Sequence, residues 1–144
     1  MTKWLLLVYR IPRTPTAGRV FVWRKLKQLG AIAVQDAVWV LPKSRRTQEQ
    51  LQWLAAEIRE RKGESMLWEE EQMYATDTEM LRRQFTEPVE TEYRRILADL
   101  RKKDRDFATL SKRFQDACSR DYFASEIGQQ TREKLVNAGE ESAS

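Results

Sequence analysis

Residues 3–11 (Lys-Trp-Leu-Leu-Leu-Val-Tyr-Arg-Ile) are apolar almost without interruption and rich in strand formers, and Pro12 and Pro15 close the run. So evenly apolar a stretch predicts a central strand covered on at least one face. Over residues 17–29 the spacing becomes helical, with Thr16 as the expected cap and Gly30 as the stop. Arg19, Val22, Trp23, Leu26 and Leu29 fall on one side of that helix, and Arg24, Lys25, Lys27 and Gln28 on the rest. Residues 31–41 are strand-like again, and the polar pair Gln35-Asp36 predicts two strands meeting at a tight turn or bulge before Pro42. A second helix is predicted over residues 47–61, striped by Leu51, Leu54, Ala55 and Ile58 and ended by Gly63. Residues 65–73 read either as a strand through Met66-Leu67-Trp68 or as a helix started by the glutamates at 69, 70 and 71. In order this gives strand, helix, strand, strand, helix, strand. The pattern predicts an α+β fold of ferredoxin-like βαββαβ type, one antiparallel sheet with two helices on one face.

From Thr76 onward the pattern is helical. Residues 77–84 read as a short helix, and Thr86 is the expected cap of the next, with Pro88 in its first turn and Tyr93, Ile96, Leu97 and Leu100 as its stripe. The charged run at 101–104 marks a turn, after which Phe107, Leu110, Phe114 and Ala117 recur at helical spacing. Residues 129–136 predict a last short helix, and the polar end from Asn137 reads as disordered. The expected organisation is thus a ferredoxin-like domain over residues 1–75, a helical hairpin or extension packed on it over 76–136, and a disordered tail over 137–144.

Composition narrows the chemistry. The chain of 144 residues accommodates one domain, or a small domain with a helical extension, without disulfides or metals. No apolar run approaches the roughly 20 residues of a membrane span, and the N-terminus lacks the apolar region of a signal peptide. One cysteine, Cys118, excludes an internal disulfide framework and fits the cytoplasm. There is no histidine, which removes the commonest zinc ligand, the usual general base and any histidine-dependent triad. The net charge of +4 conceals an imbalance: residues 1–63 carry 13 Lys/Arg against 4 Asp/Glu, and residues 64–144 carry 13 against 18. A basic first half either meets an anionic partner, docks on the acidic second half, or is simply a solvated basic surface.

Catalytic templates find little support. Cys118 lies in a helical stretch without a histidine to activate it, and packing explains it. The five glycines are isolated, so there is no phosphate-binding loop. Glu69, Glu70 and Glu71 point to alternate faces if they lie on a strand, and Asp36 suits a hairpin turn better than a metal or a base. No catalytic residue, metal ligand or cofactor is assigned. The basic residues are more informative. Arg10 and Arg13 follow the first strand, and Arg19, Arg24, Lys25 and Lys27 lie along the first helix. Lys43, Arg45 and Arg46 follow the third strand. Arginine forks suit phosphate or a tetrahedral oxyanion. Arg13, Arg24, Lys25, Lys27, Arg45 and Arg46 are therefore the candidate DNA contacts, and Arg10 and Arg19 the candidate anion site. Arg19, on the apolar side of its helix, needs a partner: a carbonyl, Asp36 or an anion. The five tryptophans, one per predicted element, are distributed as core aromatics are, with base stacking or ligand caging as the alternative.

Trp4-Leu5-Leu6-Leu7, Ile11-Pro12-Arg13, Arg19, Val22-Trp23-Arg24, Leu26, Leu29-Gly30-Ala31 and Val38-Trp39-Val40-Leu41-Pro42 together resemble the N-terminal domain of the ChrB family of bacterial chromate-resistance regulators. The resemblance extends to Arg120-Asp121-Tyr122-Phe123, which is similar to that domain's closing motif, and so covers residues 3–125. It implies a regulatory, DNA-contacting role in chromate-responsive control of an efflux operon. DNA would then be the partner, with chromate or another oxyanion as effector and a homodimer possible through a sheet edge. Full ChrB proteins carry a second, C-terminal domain, which this chain is expected to lack. The first half is also similar to the ferredoxin-like domains of the PaaX regulators and of small CRISPR-adaptation nucleases. In those nucleases an aspartate near the end of the first strand binds metal, and the matching place here reads Val8-Tyr9-Arg10. A metal-dependent nuclease or an oxyanion-handling enzyme is the alternative reading, and a protein-interaction module the third.

Overall fold

A computed structural model describes residues 2–143, which divide into two compact units, one through Thr78 and one from Glu79. The first unit follows the order β1 (Trp4–Arg10), α1 (Thr16–Leu29), β2 (Ile32–Gln35), β3 (Val38–Pro42), α2 (Arg45–Glu60), β4 (Glu64–Glu70). Its four strands form one sheet in the order β2-β3-β1-β4, antiparallel at every pairing. β1 is paired on both sides, and its apolar run buries Trp4, Leu5 and Leu7, with Leu6 and Val8 partly covered. Leu5 and Leu7 stand opposite Leu41 and Trp39 of β3, on the face where Ser65 of β4 donates its hydroxyl to the Ala55 carbonyl of α2 at 3.1 Å. Val22, Leu26 and Leu29 of α1 and Leu51, Leu54 and Ile58 of α2 supply the rest of this core. On the opposite face, Met66 and Trp68 remain half-exposed.

Local signals fix the joints. Gly30 closes α1 at φ 77°, in the left-handed region where glycine is unstrained. Asp36 and Ala37 form the turn between β2 and β3, with a register shift between Ala33 and Gln35, so the tight turn and the bulge both occur. Ser44 and Thr47 cap α2 reciprocally, and the buried Thr47 hydroxyl also donates to the Pro42 carbonyl at 2.6 Å. Residues 64–70 are strand rather than helix, because β1 offers a free edge. There Glu69 lies between Lys3 and Lys43, and its hydrogen bond from Lys43 holds its carboxyl below the usual range.

The structure departs from the sequence reading at several places. Thr16 is the first residue of α1 rather than its cap; Pro15 holds the cap position and supplies no side-chain bond. Arg19 and Trp23 are exposed, and Gly18 joins the buried stripe in their place. Trp53 and Trp68 are also about half-exposed, so only Trp4 and Trp39 are core tryptophans.

In the second unit, the two helices expected on either side of residue 86 are one, α3 (Ala75–Leu100), with Pro88 inside it. The Thr86 hydroxyl bonds back to the Arg82 carbonyl at 2.8 Å instead of capping a new start. Burial of Phe85, Val89, Tyr93, Ile96 and Leu100 along one stripe outweighs the missing amide of Pro88. α4 (Phe107–Cys118) follows as expected, and α5 (Glu126–Ala143) is far longer than residues 129–136. The stretch expected to be a disordered tail is helical through Ala143, because Leu135 and Ala138 are buried in the common core with Phe114 and Tyr93. Ser144 lies outside the described residues. Arg113 of α4 ties this unit electrostatically, donating to Asp99 at 2.7 Å and to Glu92 at 2.8 Å. No described helix is long and apolar enough to cross a membrane.

A Cβ at Gly63 would stand 2.5 Å from the Arg10 carbonyl oxygen and 2.7 Å from Ile58 Cγ2. Gly63→Ala should therefore destabilise the first unit by about 2 kcal/mol, read as a lower urea midpoint. Pro88→Ala should stabilise the second unit by about 1–3 kcal/mol, because it restores an interior helical hydrogen bond. A thermal midpoint unchanged by that substitution would indicate a helix boundary at Pro88 instead.

Candidate anion-binding site

At the end of β1 the chain turns through Ile11-Pro12-Arg13 into α1, and the β2–β3 turn lies beside it. Together they form an open groove of about 510 Å³ lined by Tyr9, Arg10, Arg13, Arg19, Trp23 and Trp39, and also by Thr16, Val20 and Asp36. Strand alternation and pairing bring the rings together. Tyr9 shares the face of Leu5 and Leu7 and donates its amide to the Ala37 carbonyl at 3.1 Å, while Trp39 stands opposite Leu7. A smaller cavity of about 350 Å³ shares Arg10 and Arg13 with the first, and Lys62 and Glu64 form its wall.

Three arginines thus meet at one corner. Arg10 is engaged, donating to Glu64 across the β1–β4 pairing at 2.9 Å. Among the described residues, Arg13 and Arg19 form no ion pair. The partner expected for a buried Arg19 is not needed, because the side chain is exposed and solvated. Its charge is nevertheless felt in the cavity. Burial raises the Tyr9 phenol above its ordinary value, and the Trp39 indole and the Arg19 guanidinium act against that rise. The Trp39 Nε1–H is buried and faces the Tyr9 phenol without closing a hydrogen bond of good geometry. α1 starts at the cavity margin with no side-chain cap and no acidic residue in its first turn, so its N-terminal dipole is uncompensated there.

The remaining candidate residues separate into two groups. Arg24, Lys25 and Lys27 lie on α1, where Lys27 stands 5.9 Å from the Trp23 ring and Lys25 5.5 Å from the Trp53 ring. Lys43, Arg45 and Arg46 follow the last residue of β3, which pairs with Trp4 at the start of β1. They are therefore at the opposite end of the sheet from Arg10, about 20 Å away at the rise of a strand. Arg45 pairs with Glu49 one turn along α2. The basic residues do not form one patch.

On sequence alone Arg10 and Arg19 form an anion site, whereas Trp23 and Trp39 read as core and Tyr9 and Lys62 have no role. Period-two alternation along β1 and β3 already sets Tyr9 and Trp39 on one face; which loops surround them is a matter of tertiary structure. A second polar cluster, in the other unit, is structural. The Tyr93 hydroxyl donates to Asp121 at 2.9 Å and lies 3.5 Å from Cys118 Sγ, and Asp121 also accepts from the Ser125 amide and hydroxyl. Burial, together with these neighbours, pushes the Tyr93 phenol far up. Tyr122 and Phe123 meet the ring of Phe85 edge-on at 6.1 and 6.4 Å, so the Arg120–Phe123 motif is a packing element. Among the described residues no three His, Cys, Asp or Glu side chains are grouped to hold a metal.

Residues 19–109 match the family described as Protein ChrB, N-terminal. A 62-residue segment, 43% of this chain, is 37% identical to Protein ChrB of Cupriavidus metallidurans and spans 19% of that protein. No solved structure matches the chain. The stretches at 4–7 and 11–13 and the motif at 120–123, which contribute to the resemblance, lie outside the matched residues. With well over half of its residues matched, the chain belongs to the ChrB N-terminal family.

Proposed function

We propose that this protein is a non-catalytic, DNA-associated regulator of the ChrB type, acting in the cytoplasm in chromate resistance and responsive to an oxyanion. One observation carries the reading: Arg10, Arg13 and Arg19 converge at the β1–α1 corner, and α1 continues that positive surface through Arg24, Lys25 and Lys27 without a single acidic residue. Phosphates are held by such surfaces through charge-assisted hydrogen bonds, and the counterions they displace supply much of the affinity. Arg45 and Arg46, at the far end of the sheet, are part of the proposal as a second contact some way along the duplex. We further read the first unit as a ferredoxin-like module with α1 and α2 on one face; the order β1-α1-β2-β3-α2-β4 and the central place of β1 and β3 support it. A homodimer would form through β2 or β4, the two edges of the sheet.

Family membership and the absence of histidine both weigh against the enzyme alternative. The test is a salt titration of binding to duplex DNA from the promoter region of the protein's own gene. Affinity should fall steeply with salt. The Arg24→Ala, Lys25→Ala, Lys27→Ala triple variant should lower the slope of log affinity against log salt by roughly 0.9 for every phosphate that is no longer neutralised. The fold should be little affected, because Arg24 and Lys27 are exposed and Lys25 gives up only its contact with the Trp53 ring, about 1 kcal/mol at most. An Arg45→Ala, Arg46→Ala variant with an unchanged slope would confine the DNA to the α1 end. Absence of binding at low salt would exclude the DNA reading.

A further inference from the structure

The β1–α1 cavity is poorly matched to phosphate alone. A phosphate on a DNA backbone is met adequately by exposed guanidinium groups and needs no aromatic wall. A bare tetrahedral oxyanion is small against about 510 Å³ and would leave the rings of Tyr9, Trp23 and Trp39 in contact with water. Apolar walls with a few placed polar groups are instead the usual make-up of a site for an organic ligand, and the volume falls in the ordinary range for one. We propose that this cavity binds a ring-bearing organic anion, a flat aromatic group carrying a carboxylate or a phosphate.

Each part of such a ligand meets a group that lacks a full counterpart in the protein. The anionic end meets Arg13 and Arg19, which form no ion pair among the described residues, close to the uncapped start of α1. The flat ring meets Trp23, 52% exposed at the cavity rim, so that stacking removes apolar surface from water on both partners. The Tyr9 and Trp39 rings, side by side on the sheet face, add apolar wall for the same ring. Asp36 also lines the groove and opposes any anion there, so affinity has to come from the rings as well as from the two arginines.

This site shares Arg13 and Arg19 with the DNA-binding reading, and its test contains no DNA, so the two fail separately. Two sources of the same chemistry are separated by the probes: benzoate for an aromatic carboxylate and adenosine monophosphate for a nucleotide. Inorganic phosphate is the ringless control and benzamide the uncharged one. With the full chain in calorimetric titration, at least one of the two ring-bearing anions should bind at one site, at least about tenfold more tightly than phosphate or benzamide. Arg13→Gln with Arg19→Gln should weaken that binding at least about tenfold, and neither exposed side chain supports the fold. Trp23→Ala should weaken the ring-bearing anion and leave phosphate unchanged. Saturation by benzoate alone or by the nucleotide alone supports the proposal and identifies the source. The proposal is overturned if phosphate binds as tightly as both ring-bearing anions, if the double arginine variant binds them normally, or if neither binds below about 10 mM.

Discussion

The structure of the first unit depends on β1 being hydrogen-bonded on both edges. A strand so placed has both rows of backbone groups paired and buries Trp4, Leu5 and Leu7, and it anchors β3 and β4 at once. Its end is equally constrained. Gly63 must pass within touching distance of the Arg10 carbonyl for β4 to enter its register, and the Arg10–Glu64 pair closes that last rung. With β1 fixed in this way, the turn into α1 has a defined starting point. Arg13, Arg19 and Trp23 are placed by it relative to Tyr9 and Trp39, and the cavity follows from the sheet's central pairing.

Much of this unit is legible in the residues because its signals are local. An unbroken apolar run, a glycine in the left-handed region after Leu29, and a polar pair between two short strands each have one economical structural solution. Local rules fail where they compete with burial elsewhere. Pro88 argues for a helix start, yet Phe85, Val89 and Tyr93 fall on one stripe across it, and the continuous helix buries all three. The polar composition after Asn137 argues for disorder, yet Ala138 is buried and Gly139 leaves room for the Phe107 ring, 2.9 Å from where a Cβ would stand. The candidate site is half legible. Arginines are recognisable as anion ligands from their chemistry, whereas the aromatic wall comes from bringing the end of β1 beside the β2–β3 turn, a contact with no local signature.

The second unit shows how a motif can be tied to packing rather than chemistry. Asp121 accepts from a phenol, an amide and a hydroxyl, which uses most of its acceptor capacity and leaves little for a ligand. Gly128 is required beside it, since a Cβ there would lie 2.9 Å from both the Asp121 carboxylate and the Tyr93 ring. The single cysteine is one more neighbour of this cluster, beside the Tyr93 hydroxyl and packed against the core.

The two lysines of α1 that stand over tryptophan rings have a different significance. A carboxylate placed beside a lysine orders it and cancels its charge together, so the far field collapses to that of a dipole. An aromatic face restrains the ammonium group through its quadrupole and leaves the full unit of charge in place. With no acidic residue in α1, the helix keeps a monopole field that reaches outward for about a Debye length, roughly 8–10 Å in physiological salt. Trp23 and Trp53 thus let the helix hold its cations still without muting them, and an approaching polyanion is oriented by that field before any direct contact forms.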